Sequence, residues 1–451
     1  MDLRYFLWQL SMKIPASKPI LPFARHFWDE DIFSSLIIMA TRLGMLAAKL
    51  ILSLFMARYM GLAELGVYGL IVGASGIIQA ILRGGVFALL SRDAVSQPIS
   101  ELAYHLRHYA TGILGIYSLL TPVTFAAGWL FGYPLIALLA LAVFLTEHLA
   151  FDSFVLINNL QYPKLANFVY SLQLASWIYL YVVFAFFYPE LRSLEALLAF
   201  WIGGGLIAIA ISSFLARGWP WKKTFANKID PLWYSEKLSK SFKLYLIDVT
   251  GVVNYYMDRY IIMAFLSLEM TGVYVFFSQV VSATWNLVNS GVLVVFRPRL
   301  IKEYDPNNLA PFNRVYRSAL KRAWLMTIAL SILAALGVPF LVTLTDNEAL
   351  LEHLPLLWLM LAALLFRVTA TATGMALYAM HKDRENFIAV LIIFILTAIV
   401  GSMSVILLGL YGIVLNSAVV SIAVVFYARA VWNKSSQAKK GWAYSQGKSH
   451  A

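Results

Sequence analysis

The sequence predicts an all-α polytopic membrane protein with twelve transmembrane helices in two six-helix lobes and both termini cytosolic. Three observations predict it. Of 451 residues, 61% are hydrophobic and only 13% are charged, against about 25% charged in soluble domains. Lysines and arginines alternate along the chain as a multi-pass topology requires. The chain also repeats itself weakly at half its length.

Apolar runs divided by charged or Gly/Pro-containing stretches give spans near 32–57, 66–90, 109–131, 134–157, 166–187, 194–215, 243–266, 270–296, 322–344, 355–379, 386–409 and 411–430. Each exceeds or approaches the ~20 residues that cross a bilayer as a helix, and backbone groups in lipid must be satisfied within the segment. The tightest turns fall at FGYP (131–134) and GLYG (409–412). With the N-terminus inside, 28 of the 35 basic residues fall in cytosolic segments, two (Arg58 and Arg192) outside, and five within spans. The net charge of +12 is concentrated in the loops at 216–243 and 297–322. Such loops are topology signals against anionic headgroups, in preference to docking sites for protein or nucleic acid.

The organisation expected is a cytosolic or interfacial leader over 1–31, an N-terminal lobe over 32–215 and a basic inter-lobe loop over 216–242. A C-terminal lobe over 243–430 and a flexible basic tail over 431–451 follow. The leader holds charges and prolines and no apolar core of signal-peptide length. With no cysteine, neither a disulfide framework nor a thiolate metal site exists, and no metal site is expected. The repeat pairs MARYMGLAELGVY (56–68) with MAFLSLEMTGVY (263–274), each a helix end, a short loop and a Gly-Val-Tyr entry into the next helix. Parallel six-helix repeats are a transporter design.

The five intramembrane cations are Arg42, Lys49, Arg83, Arg259 and Arg367. A cation at bilayer depth costs about 2.5–3.5 kcal/mol on insertion scales, so its presence points to function. Arg42 and Lys49 are seven apart and share a helix face, about 10 Å apart along the axis. Arginine can grip phosphate oxygens bidentately, and lysine acts as a point charge. These side chains therefore suit an anionic headgroup such as pyrophosphate. The alternatives are pairing with buried acids or snorkelling to an interface. The acids are Glu147 and Asp152 on span four and Asp248 and Asp258 on span seven. His148 and Asp152 stand i, i+4 on one face beside Glu147. That group, together with Asp258, either couples transport to H+ or Na+ or balances the arginines. A polar stripe on span eight (Gln279, Ser282, Asn286, Asn289, Ser290) either lines a lumen and bonds sugar hydroxyls or glues helices together. Asn254, Tyr255 and Tyr256 are further candidates for sugar contact, against ordinary packing. GGG (203–205) reads as close helix packing, Pro122 as a kink, and Glu64 as a cap on the second helix.

The stretch TRLGMLAAKLILSLFMARYMGLAELGVYGL resembles the first helix and outer loop of the polysaccharide-transporter family. These are the O-antigen-type flippases of the multidrug/oligosaccharidyl-lipid/polysaccharide (MOP) exporter superfamily. YYMDRYIIMAFLSLEMTGVY and VVFRPRLIKEY are similar to its helices seven and eight. The resemblance implies a MATE/MOP-like pair of bundles in a bacterial cytoplasmic membrane. It also implies that the chain flips a polyprenyl-pyrophosphate-linked oligosaccharide for O-antigen (lipopolysaccharide), capsule or exopolysaccharide by alternating access. The implied partners are that lipid-linked oligosaccharide, the bilayer and glycan-assembly proteins. No cofactor is expected beyond a coupling H+ or Na+. A MATE-type cation or drug antiporter is the alternative, although such a carrier should present acids along its first helix. A membrane glycan polymerase or ligase would need a large outer loop, and the longest here is TLTDNEALLEHLP (343–355).

Overall fold

The computed structural model describes residues 31–448 apart from Asn307, and it is helical with no strand among them. The expected leader lies outside the described residues except for Asp31. Chain order runs α1 (Asp31–Tyr59), α2 (Leu62–Arg83), the short α3 (Val86–Asp93), α4 (Ile99–Leu130), α5 (Pro134–Asn159), α6 (Pro163–Phe187) and α7 (Leu194–Leu215). It continues with the short α8 (Trp221–Ala226), α9 (Pro231–Phe265), α10 (Leu268–Lys302), α11 (Ala310–Thr343), the short α12 (Glu348–Glu352), α13 (Leu354–Ala379), α14 (Asp383–Leu408) and α15 (Leu410–Lys448). All twelve expected spans fall on the twelve long helices. Eleven of these are long and apolar enough to cross a membrane. The twelfth, α9, carries Lys237, Lys240, Asp248, Asp258 and Arg259 along one continuous helix, which dilutes its hydropathy.

Three local features differ from the expectation. The span drawn over 66–90 ends at Arg83, because Gly84 and Gly85 take φ values of 55° and 68°. That left-handed backbone is cheap only for glycine, and it starts α3 as a separate helix. Helices α6, α10 and α14 each contain one π turn, at Leu172–Ser176, Asn289–Leu293 and Thr397–Gly401. The segment expected as a flexible tail is helical to Lys448, as α15 continues without a break.

The chain forms two compact units. One comprises residues up to Leu52 together with Ile71–Val249, the other Ser53–Leu70 together with Thr250 onward. The boundary therefore differs from the sequence-drawn lobes at two places, each for a steric reason. The hairpin 53–70 belongs with the C-terminal unit because its glycines seat directly on α10. A Cβ on Gly66 would collide with the Leu268 carbonyl oxygen, and one on Gly272 would collide with that of Leu62. The two Gly-Val-Tyr repeats thus touch reciprocally, at equivalent positions. Arg58 adds an ion pair to Asp346 at 3.1 Å, and Tyr260 donates to the Leu70 carbonyl at 2.9 Å. The first part of α9 belongs with the N-terminal unit because Ser241 donates to the Gly84 carbonyl at 2.6 Å and its backbone abuts Gly85.

Small residues make the tight contacts inside the N-terminal unit too. Gly204 faces Trp177 of α6, and Gly205 faces Thr146 of α5, each leaving no room for a side chain. In an apolar solvent, such packing and polar contacts, rather than hydrophobic burial, hold helices together. Pro122 sits within an unbroken α4.

Candidate functional site

In the N-terminal unit the buried charges form two hydrogen-bonded networks on α5, the second of which leaves Gln173 Oε1 and Trp177 Nε1 buried without a partner. Arg83 donates from Nε to Asp152 Oδ1 at 2.8 Å and from Nη2 to Gln79 Oε1 at 3.0 Å, and Gln79 in turn donates to Ser75 at 2.7 Å. The Arg83 guanidinium also lies 4.6 Å from the centre of the Phe151 ring. The other Asp152 oxygen accepts the Tyr109 hydroxyl at 2.6 Å. Because that hydroxyl hydrogen is used, His148 Nε2–H donates to the Tyr109 oxygen at 2.9 Å, with Asp152 Oδ2 at 3.4 Å, and His148 Nδ1 lies 3.3 Å from the Tyr117 hydroxyl. His148 is fully buried, and each ring nitrogen has a partner.

Glu147, one residue earlier, faces a second set of donors. Trp201 Nε1 donates to Oε1 at 2.6 Å, and Gln173 Nε2 donates to Oε2 at 2.9 Å. The Trp201 ring stacks on Trp177 at 5.4 Å, which locks the donor. Lys49 is half-buried on α1. Arg42 is exposed and donates to Asn167 Oδ1 at 3.4 Å, so it stands apart from both networks. Arg83 is thus paired with an acid, one of the alternatives for these cations, whereas Arg42 is not. Asp248, counted with the C-terminal lobe in the sequence, lies in the N-terminal unit and is exposed. A groove of about 560 Å³ in this unit has mostly apolar walls, with Tyr109 and Asp152 among its lining residues.

The C-terminal unit contains a cavity of about 500 Å³ with a different lining. Asn254, Tyr255, Asp258, Arg297, Arg367 and Asn416 all contribute to it. Asp258 is already engaged, since it accepts the backbone N–H of Arg259 at 2.8 Å and the Tyr274 hydroxyl. Arg367 forms no ion pair among the described residues. It is bracketed by two aromatic rings, 5.2 Å from the centre of Tyr255 and 5.3 Å from that of Trp285. Such faces stabilise a guanidinium without neutralising it. Asn254 Nδ2 donates to the Val390 carbonyl at 3.1 Å, but its Oδ1 is buried without a partner, as is Asn416 Oδ1.

The remaining candidates scatter. Arg259 is buried beneath the 53–70 hairpin, donating from Nη1 to the Gly69 carbonyl at 3.0 Å and lying 5.0 Å from the Tyr256 ring. It acts as a strut there and does not line the cavity. Tyr255 does line it, with its hydroxyl 3.3 Å from Ser282. Gln279, Asn286 and Asn289 of the α10 stripe lie outside the lining; Asn286 is exposed and Asn289 opens the π turn. Sequence reasoning missed Asn416, Asn386, Arg297 and Trp285 around the cavity, and Tyr109, Gln173 and Trp201 around the acids. A lone asparagine in the apolar run of α15 was the available signal for Asn416. Among the described residues no group of three or more His, Asp or Glu is placed to hold a metal ion.

No family model matches the sequence, and no curated protein matches it. Solved structures do match the fold. An inward-facing multidrug-resistance MATE transporter of the MOP superfamily aligns with a TM-score of 0.69 at 11% identity, over 89% of this chain and 99% of that one. The lipid II flippase MurJ, in an inward closed conformation, aligns with a TM-score of 0.69 at 15% identity, over 89% and 88%. The MATE multidrug transporter DinF-BH aligns with a TM-score of 0.60 at 13% identity, over 90% and 96%. The chain therefore has the all-helical fold that MATE transporters of the MOP superfamily share with the lipid II flippase MurJ.

Proposed function

We propose that the protein is a membrane flippase that translocates an anionic, polyprenyl-pyrophosphate-linked oligosaccharide by alternating access, in the cytoplasmic membrane of a bacterium. One observation carries the reading. Of the four intramembrane arginines, only Arg83 meets a carboxylate; Arg42, Arg259 and Arg367 form no ion pair among the described residues. Arginines held at bilayer depth without a carboxylate partner suit an anionic cargo, because each such charge is costly in lipid; Arg42 and Arg367 are the two not already engaged as struts. A carrier of organic cations needs the reverse. The likeness in fold to a lipid II flippase supports a lipid-linked cargo, and the likeness to MATE transporters keeps cation antiport as the rival.

The test is genetic and chemical together. Cells lacking the protein should accumulate lipid-linked oligosaccharide and lose surface glycan, and wild-type protein should restore export. The double variant Arg42→Ala/Lys49→Ala, at matched membrane levels, should not. Ethidium efflux with no glycan phenotype would instead establish the antiporter. Normal export by the double variant would remove those two cations from the mechanism.

A further inference from the structure

Two histidines away from the α5 networks tie α4 to the segment that opens α9, and the bonds they accept require both to be neutral. Trp233 Nε1–H donates to His105 Nδ1 at 2.8 Å, and the Asp230 backbone N–H donates to His108 Nε2 at 3.0 Å. An indole N–H and a backbone N–H can only donate, so both ring nitrogens accept. His108 Nδ1 then carries the hydrogen of that ring and gives it to the Tyr104 carbonyl at 2.9 Å. His108 and Trp233 are both buried, and their rings lie 5.4 Å apart. Tyr234 closes the contact by donating to the His108 carbonyl at 2.7 Å. Between the two histidines, Arg107 donates to the Thr224 and Asn227 carbonyls at 2.5 and 2.6 Å.

Neither accepting nitrogen can take a proton and keep its bond, because a protonated ring nitrogen becomes a donor that faces a donor. The charges facing the pair do not rescue the bonds. Asp93 of α3 is paired with Arg92 at 3.9 Å and Lys237 at 4.0 Å, Asp230 Oδ1 accepts the Leu232 N–H at 3.0 Å, and Glu101 is countered by Arg107 on the same helix. We propose that His105 and His108 form an acid-released clasp that fastens the start of α9 to α4. Acid favours release, because the released state takes up protons that the fastened state excludes, as the pH falls through and below the ordinary histidine value of about 6.5. Arg107 keeps its charge and its two carbonyls over that range, so the segment loosens on α4 without detaching. The clasp acts on the one helix along which the chain passes from the N-terminal unit to the C-terminal unit, since α9 runs from Pro231 to Phe265 and the units divide after Val249. It therefore puts a pH-sensitive hold on the connection between them, whatever the cargo.

The experiment is amide hydrogen exchange of residues 224–234 in the full-length protein in detergent, at pH 7.5 and pH 5.0. Each rate is corrected for the intrinsic effect of pH on exchange, and the Asp230 amide, one of the two donors, lies within the segment. The corrected rate should rise about tenfold or more on acidification, as expected when two hydrogen bonds are lost. His105→Asn/His108→Gln supplies an amide oxygen that accepts but does not titrate near each lost nitrogen, and the acid step should vanish. Trp233→Phe deletes one donor and should exchange faster at pH 7.5, with a smaller acid step. Absence of the step from the double variant, whether its exchange at pH 7.5 is slow or fast, assigns the step to these histidines. A wild-type rate that does not change with pH would overturn the proposal. So would an acid step of full size in the double variant or in Trp233→Phe.

Discussion

The N-terminal and C-terminal units handle buried charge in opposite ways. On α5 every polar atom of Asp152, His148 and Glu147 has a partner, and Arg83 is shared between an acid, an amide and an aromatic face. Around Arg367, by contrast, a guanidinium bracketed by two rings meets no carboxylate among the described residues and lines a cavity of about 500 Å³. Unmet hydrogen bonds do not separate the two regions, since Gln173 Oε1 and Trp177 Nε1 beside Glu147 are as buried and unpartnered as Asn254 Oδ1 and Asn416 Oδ1. The lesson is that buried charge alone does not mark a binding site; the difference lies in whether the charge meets a counter-charge.

The contrast breaks most readily at Asp152. Asp152→Leu leaves Arg83 buried without its acid and should destabilise the protein by about 3–5 kcal/mol, whereas Arg83→Met/Asp152→Leu should recover most of that loss. Thermal unfolding in detergent measures both. A double variant no more stable than the single would show that the pair is not the unit of stability.

A smaller effect is expected where the 53–70 hairpin seats on α10. Gly272→Ala places a methyl group where the Leu62 carbonyl oxygen sits, and overpacking of this kind costs about 1–3 kcal/mol. Limited proteolysis near the hairpin should accelerate in this variant. Unchanged protection would mean that the polar contacts from Arg58, Arg259 and Tyr260 hold the hairpin without the glycine seat.

Glu147→Gln keeps the shape of the second network but turns one acceptor into a donor that faces Trp201 or Gln173. The expected cost is about 1–3 kcal/mol for one unmet buried bond. Its transport readout sharpens the comparison further. If translocation continues unchanged in Glu147→Gln and in Asp152→Asn, the α5 acids balance charge; if it loses its dependence on a proton or sodium gradient, they couple it.

The smallest stability effect belongs to Arg367→Gln, about 0.5–1 kcal/mol, because the contacts to two aromatic faces are lost but no ion pair is. A large loss of stability there would mean that Arg367 is a structural element like Arg83.

Hydropathy and the placement of lysine and arginine were enough to locate the twelve long helices, since both express the bilayer's constraint residue by residue. The turn at Gly84–Gly85 escaped that reading because an apolar run continues through it, and the π turns left no mark in composition. The site was legible only as a set of charges. Arg83 and Asp152 are 69 positions apart, and no periodicity along either helix indicates that they meet. Asn254 and Tyr255 stood out as polar or aromatic groups on a charged span. Asn416 did not, because one amide in an apolar helix acquires meaning only when the fold places it on a cavity.

The most direct measurement of the central claim is transbilayer movement of a polyprenyl-pyrophosphate-linked oligosaccharide in liposomes that contain the purified protein. Wild-type protein should move it and leave ethidium in place, and Arg367→Gln, at matched amounts of folded protein, should move it far more slowly. Ethidium transport by a protein that leaves the lipid-linked glycan in its original leaflet would contradict the account.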